Sequence, residues 1–130
     1  MTAFEPVSTF DTPSLPQPCA WNRHAWGTSQ SLTEQDRFKV RHLVLRPGQA
    51  IGLQSHYHRS EHWVIVQGSA RVTIGNEIRD VYENGSIDIA IGLAHRLENH
   101  GKVDLHLIEV QTGAYLGDDD ITRPDDGLAA

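Results

Sequence analysis

Apolar and polar residues alternate with a period of two over short stretches of this chain. Phe38, Val40, His42 and Val44 interleave with Lys39, Arg41, Leu43 and Leu45. Both faces of that stretch are therefore partly apolar, as in a strand inside a sheet. Trp63, Val64, Ile65 and Val66 are aromatic and β-branched, which suits a central strand. Turn signals punctuate the pattern at Pro47-Gly48, Gly68, Gly75-Asn76, Asn84-Gly85, Gly92 and Asn99-His100-Gly101. Together they predict strands over 38–45, 50–58, 61–67, 69–74, 78–82, 87–91, 95–99 and 104–111. No stretch has the apolar spacing of a three-turn helix, and 33–38 holds at most one short turn. Short strands separated by glycine-bearing turns predict an all-β sandwich or barrel. Eight of them in one small domain fit a double-sheet jelly roll with a pocket near one mouth.

Composition sets the limits of that domain. A chain of 130 residues has room for one core, and 38% hydrophobic with 22% charged residues is ordinary for a soluble globular protein. Four of the six prolines fall within the first 18 residues, so 1–22 reads as an extended arm before a barrel over 23–117. Phe4, Val7 and Phe10 make that arm apolar enough to lie on a partner subunit, and a homodimer is expected. Five aspartates crowd 118–130, which reads as a solvated acidic tail. Seventeen acids against eleven bases exclude nucleic acid and an anionic membrane as default partners. Cys19 is the only cysteine, so no intramolecular disulfide forms. With no leader-like start and no apolar run long enough to span a bilayer, the expected location is the cytoplasm.

The chemistry is concentrated in Gln54-Ser55-His56-Tyr57-His58-Arg59-Ser60-Glu61-His62-Trp63. On a strand reaching to residue 58, the side chains of 54, 56 and 58 share one face. An irregular step at Arg59-Ser60 lets Glu61 open the next strand. Imidazole nitrogens and a carboxylate oxygen converging from two strands are ligands for a divalent transition metal. A metal held by one strand pair would be poorly enclosed, so a further inward histidine late in the chain is required. His95, preceded by the turn at Gly92 and followed on the same face by Leu97 and Asn99, is the candidate.

Pro47-Gly48 to Gly68 and Gly85 to Asn99 resemble the two motifs of the cupins, small jelly-roll barrels that bind a divalent metal. Glu61 and Gly68 match the spacing that ends the first motif. The first pair stays open, because His56-x-His58 matches by residue type and Gln54-x-His56 by distance to Glu61. Ala90-Ile91-Gly92-Leu93-Ala94-His95-Arg96-Leu97-Glu98-Asn99 matches the second motif with its proline lost. The string from Leu53 to Trp63, the His95–Asn99 segment and 108–121 look more particularly like the cupin of type II phosphomannose isomerase. That module usually forms the C-terminal part of a bifunctional enzyme with a mannose-1-phosphate guanylyltransferase. Without a glycine-rich nucleotide loop, this chain reads as a stand-alone copy. It departs from the family pattern at its Trp26-Gly27 entry and at its Asp126-Gly127-Leu128 end, which touches specificity and leaves the metal ligands intact.

The resemblance implies a cupin-type barrel and interconversion of mannose 6-phosphate and fructose 6-phosphate through a cis-enediol. It implies one divalent ion (Zn²⁺, Mn²⁺, Fe²⁺, Co²⁺ or Ni²⁺) on His56, Glu61 and His95, with Gln54 or His58 beside them. Arg59 is expected to hold the phosphate or the enediolate, because its fork matches an oxyanion. Whichever of His58 and Gln54 is off the metal is free to shuttle the proton. Glu109 and Gln111, on one face of the last strand, are expected at the pocket mouth, with Lys39 and Arg41 as further anion ligands. His62 is read as packing on the opposite face, and His24, His42, His100 and His106 as structural. A non-catalytic sugar-binding cupin and a cupin dioxygenase are the competing readings.

Overall fold

The structure, a computed structural model, describes residues 20–123. The described chain is almost entirely strand: β1 (Asn22–His24), β2 (Gly27–Glu34), β3 (Phe38–Leu45), β4 (Ala50–Gln54), β5 (Arg59–Gln67), β6 (Ala70–Ile74), β7 (Glu77–Val81), β8 (Ser86–Ile89), β9 (His95–Glu98) and β10 (Leu105–Gly113). The helical content of these residues is one 3-10 turn at Asp118–Asp120. No helix among them is long and apolar enough to cross a membrane. The strands form a six-stranded sheet in the order β1-β2-β3-β10-β5-β8 and a four-stranded sheet in the order β4-β9-β6-β7, all neighbours antiparallel. Two such sheets packed face to face make the jelly roll that the turn spacing predicts.

Two strands escape the hydrophobic pattern. β2 is Gly-Thr-Ser-Gln-Ser-Leu-Thr-Glu, with no apolar alternation, and it is a strand because β3 offers it a ladder. Tertiary pairing overrides weak propensity here. The short β1 in turn pairs with β2. Residues 1–19 of the proline-rich arm, with Phe4, Val7, Phe10 and Cys19, lie outside the described residues, and Asn22 at its end already belongs to β1.

The position of the site follows from the inward faces. Along β5 the buried residues run Arg59, Glu61, Trp63, Ile65; along antiparallel β10 the same level of the barrel is occupied by Gln111, Glu109 and Leu107. Arg41 faces Glu109 across β3–β10, and Leu43 faces Leu107. On β9 His95 precedes Leu97. One end of the interior is thus charged and polar. The other is a core of Leu43, Leu45, Ile65, Val72, Leu97, Leu105 and Leu107 with its neighbours. The apolar end stabilises the barrel by removing its side chains from water, and truncating one such leucine to alanine costs about 2–5 kcal/mol. That stability supports buried charges at the opposite end.

The predicted strand over 50–58 is shorter than expected. β4 stops at Gln54, and Ser55 pairs with Thr122 of the C-terminal segment in an isolated antiparallel bridge. The Tyr57 and His58 N–H groups have no ladder partner; both donate to the Asp120 carboxylate, at 3.1 and 2.9 Å. The chain therefore leaves strand geometry after residue 54, and 54, 56 and 58 do not share a face. Over 118–123 the acidic segment keeps Asp118 and Asp119 exposed but is docked through Asp120 and the Thr122 bridge. Asp120 has a side chain only 5% exposed, and the segment is strapped across the barrel mouth.

Candidate metal centre and cavity

His56, Glu61 and His95 converge from the loop after β4, from β5 and from β9. One donor atom from each lies within 4.8 Å of the others, and all three residues are buried. Both imidazoles are held by their backbones. His56 Nδ1–H donates to the Arg59 carbonyl at 3.1 Å, and His95 Nδ1–H donates to the Leu93 carbonyl at 2.9 Å. These bonds put the proton on Nδ1 and leave a lone pair on Nε2, the arrangement of metal-ligating histidines. The turn at Gly92 makes the second bond possible. Its φ of +79° favours glycine, and its N–H donates to the His56 carbonyl at 2.7 Å, which draws the two ligand loops together.

Neither Nε2 finds a hydrogen-bonding partner, although both are fully buried. The His56 Nε2 lies 3.1 Å from Glu61 Oε2, and the His95 Nε2 lies 3.9 Å from Glu61 Oε1. Two imidazole lone pairs aimed at one carboxylate repel unless a cation lies between them. Orphaned buried acceptors are costly, and a divalent ion accounts for both. Nitrogen and oxygen donors together suit a borderline transition ion. On these grounds the trio fits the expected metal. Gln54 lies directly opposite His95 across β4–β9 and lines the adjoining cavity, placed as a neighbouring oxygen donor.

The charges around the trio are arranged in pairs. Burial pushes the Glu61 carboxyl up, but positive charge at the His56 and His95 imidazoles, with Glu109 as a further neighbour, outweighs it and holds the pKa at about 2; with both imidazoles neutral, a cation between their Nε2 atoms would supply that charge. Burial is also the main influence on His95, and it lowers that imidazole's pKa. Arg59 Nε donates to Glu61 Oε2 at 3.2 Å, with both side chains 1% exposed. Its Nη1 donates to the Leu116 carbonyl and faces Asp118 at 3.5 Å. Glu109 is buried too, and burial followed by the Glu61 charge raises its pKa. It accepts from Arg41 Nε at 2.7 Å, from Trp63 Nε1 at 3.1 Å and from Gln111 Nε2 at 2.7 Å. Trp63 Nε1 also reaches Glu61 Oε1 at 3.2 Å, so the two carboxyls share one indole. Glu61 is the member of the pair that stays ionised.

A cavity of about 120 Å³ opens beside the trio. Gln54, Arg59, Trp63 and Glu109 line its inner wall, and Asp118, Ile121 and Arg123 of the C-terminal strap line it from outside. Several sequence expectations change at this point. His58 does not join the trio: its side chain is 60% exposed and its Nδ1 bonds Asp120 at 2.8 Å. Gln111 is fully buried behind Glu109 and off the cavity wall. Arg59 is inward as expected, yet it is already paired with Glu61. Of the two further candidate anion ligands, Lys39 lies 3.8 Å from Glu34, while Arg41 reaches the cavity already paired with Glu109. His62 faces outward and meets Asp88. His24, expected to be structural, stacks on Trp26 and lines the cavity. Its setting depends on β1 and β2, whose sequences carry no strand signal.

The sequence profile of the family described as "Mannose-6-phosphate isomerase C-terminal" matches residues 19–126. The chain belongs to this family. A mannose-1-phosphate guanylyltransferase of Salmonella montevideo is 49% identical over 98 residues, which are 75% of this chain and 21% of that protein. The chain spans about a fifth of the length of the curated relatives it matches. Among solved structures, oxalate decarboxylase from Bacillus subtilis superposes with a TM-score of 0.74 at 22% identity, covering 85% of this chain and 31% of that one. The Cnp3 cupin domain of Schizosaccharomyces pombe superposes with a TM-score of 0.65 at 18% identity, covering 66% and 64% of the two chains. At these identities the likeness concerns the fold, and the fold of this family member is the cupin barrel.

Proposed function

We propose that this chain is a metal-dependent aldose–ketose isomerase that interconverts mannose 6-phosphate and fructose 6-phosphate through a cis-enediol. One observation carries the reading. The buried, partnerless Nε2 atoms of His56 and His95 meet Glu61 beside a polar cavity, in a chain of this family. A divalent ion such as Zn²⁺, Mn²⁺, Fe²⁺, Co²⁺ or Ni²⁺ on His56, Glu61 and His95, with Gln54 beside them, supplies Lewis acidity for the sugar's carbonyl and hydroxyl oxygens. Protein groups provide the rest. The Arg59 and Leu93 carbonyls fix the tautomers of the ligand imidazoles. Arg59 holds Glu61 in place and balances its charge. A proton must leave C2 and reach C1, so one group has to stand within reach of two adjacent carbons. Glu109 is the buried carboxyl on the cavity wall, and three donors fix it there. The proton shuttle is assigned to Glu109 in place of the outward-facing His58.

The test is turnover of mannose 6-phosphate in D₂O by metal-loaded protein, followed by NMR. Fructose 6-phosphate carrying deuterium at C1 is expected. Glu109→Gln should keep its metal and lose about 10²-fold or more in kcat, the usual contribution of a positioned acid–base group. A second reading, a sugar-binding module without turnover, draws on the relatives being named guanylyltransferases, of which this domain makes up about a fifth. Absence of product with Mn²⁺, Co²⁺ and Zn²⁺, in protein holding one metal per chain, would leave that second reading standing.

A further inference from the structure

Three guanidinium groups line the cavity, on Arg41, Arg59 and Arg123. Two are balanced inside the protein: Arg41 by Glu109 at 2.7 Å, and Arg59 by Glu61 at 3.2 Å with Asp118 at 3.5 Å. The imidazole of His24, also on the wall, bonds Ser29 Oγ at 2.7 Å; burial, with Arg41's charge, lowers its pKa and so disfavours its charged form. Among the described residues Arg123 forms no hydrogen bond or ion pair. It is, among the described residues, the one unpaired cation on the wall.

Its place is set by the strap. Ser55 N–H donates to the Thr122 carbonyl at 2.8 Å, and Thr122 N–H donates to the Ser55 carbonyl at 2.7 Å. The antiparallel register of that bridge sets Arg123 beside Gln54, and Gln54 faces His95 on the next strand. The backbone at Arg123 is thus two strand spacings, about 10 Å, from the backbone at His95. That is the order of the distance from the reacting C1 and C2 of an open-chain hexose to a group on C6.

We propose that Arg123 binds the anionic group of the substrate, the phosphate of a hexose 6-phosphate, at the outer end of the cavity. The inference rests on the isomerase reading for the sugar and goes beyond it in assigning the anion. A guanidinium fork matches phosphate oxygens, and an uncommitted one gives up no internal ion pair on binding. Asp120 is the positioning residue, because its bonds to Tyr57 and His58 dock the strap that carries Arg123.

Calorimetric titration of the metal-loaded full chain tests this with mannose 6-phosphate, inorganic phosphate and unphosphorylated mannose, alongside steady-state kinetics. Arg123→Gln should raise the Kd and KM for mannose 6-phosphate about tenfold or more, the loss of one charge-assisted contact. It should abolish competition by inorganic phosphate and leave mannose affinity and metal content unchanged. Arg123→Lys should recover part of the loss. Wild-type affinity for mannose 6-phosphate in Arg123→Gln overturns the proposal. So does an equal loss for mannose, which would mean that the side chain merely shapes the strap. Arg123-dependent binding without turnover removes the isomerase reading and keeps the anion site; turnover with an unchanged KM in Arg123→Gln does the reverse.

Discussion

Two substitutions at the trio should both abolish metal binding and yet differ in stability once metal is removed. Glu61 has a second role that His95 lacks, since it balances Arg59. That pair is 3.2 Å apart with both side chains 1% exposed. In Glu61→Gln the guanidinium stays buried and keeps only the Leu116 carbonyl and Asp118, itself 69% exposed. Removing one partner of a buried ion pair costs about 3–5 kcal/mol, because the remaining charge is left desolvated. Glutamine retains the volume and one acceptor, so the lower end, about 3 kcal/mol, is expected. For a domain of this size that lowers Tm by roughly 10 °C. His95→Ala removes a lone pair with no partner and exposes no charge, so its metal-free loss should be confined to the packing of one ring and the Nδ1–H bond to the Leu93 carbonyl, about 1–2 kcal/mol. The assay is thermal unfolding of wild type and both variants by circular dichroism, with EDTA and with metal at a hundredfold excess over Kd. Wild type should gain about 2.7 kcal/mol from metal and the variants nothing. Equal Tm values for Glu61→Gln and wild type in EDTA would refute the argument that Glu61 neutralises a buried Arg59. A metal-dependent gain in His95→Ala would refute the ligand set.

Two further outcomes concern the mouth and the barrel. Asp120→Ala removes the acceptor for two backbone N–H groups and His58, so exchange of the Ser55 and Thr122 amides should accelerate about tenfold or more while core amides are unchanged. Burial is the largest single influence on the Asp120 carboxyl and raises its pKa, but the bonds from His58 and Tyr57 together outweigh it and hold the pKa below its ordinary 3.8. A carboxyl depressed by folding stabilises the docked strap fully above that value and loses its contribution as pH falls through the folded pKa. Chemical shifts of the Thr122 amide should therefore report strap release only below about pH 4, and release at neutral pH would contradict the Asp120 anchor. Gly113→Ala should cost about 2–3 kcal/mol in urea unfolding, because its Cβ would stand 2.1 Å from the His58 carbonyl and force β10 away from β5.

The order of sheet and turn was legible in the sequence. Period-two stretches such as 38–45, cut by Gly75-Asn76 and Gly92, leave few alternatives to a small all-β barrel, because strand faces and turn conformations are local properties. His56, Glu61 and His95 were legible too, since ligand chemistry demands those side-chain types at strand-compatible spacing. What local rules could not decide was the fate of residues whose surroundings come from elsewhere in the chain. His58 looks like a ligand by type, and only the Asp120 carboxylate, 62 residues away, turns it outward. The polar β2 carries no strand signal and becomes one because β3 presents a ladder. Arg59 and Arg123 carry the same charge. Tertiary pairing balances the buried first with Glu61 and, among the described residues, gives the exposed second no partner, because whether a charge is neutralised depends on which distant side chain the fold brings within hydrogen-bonding reach.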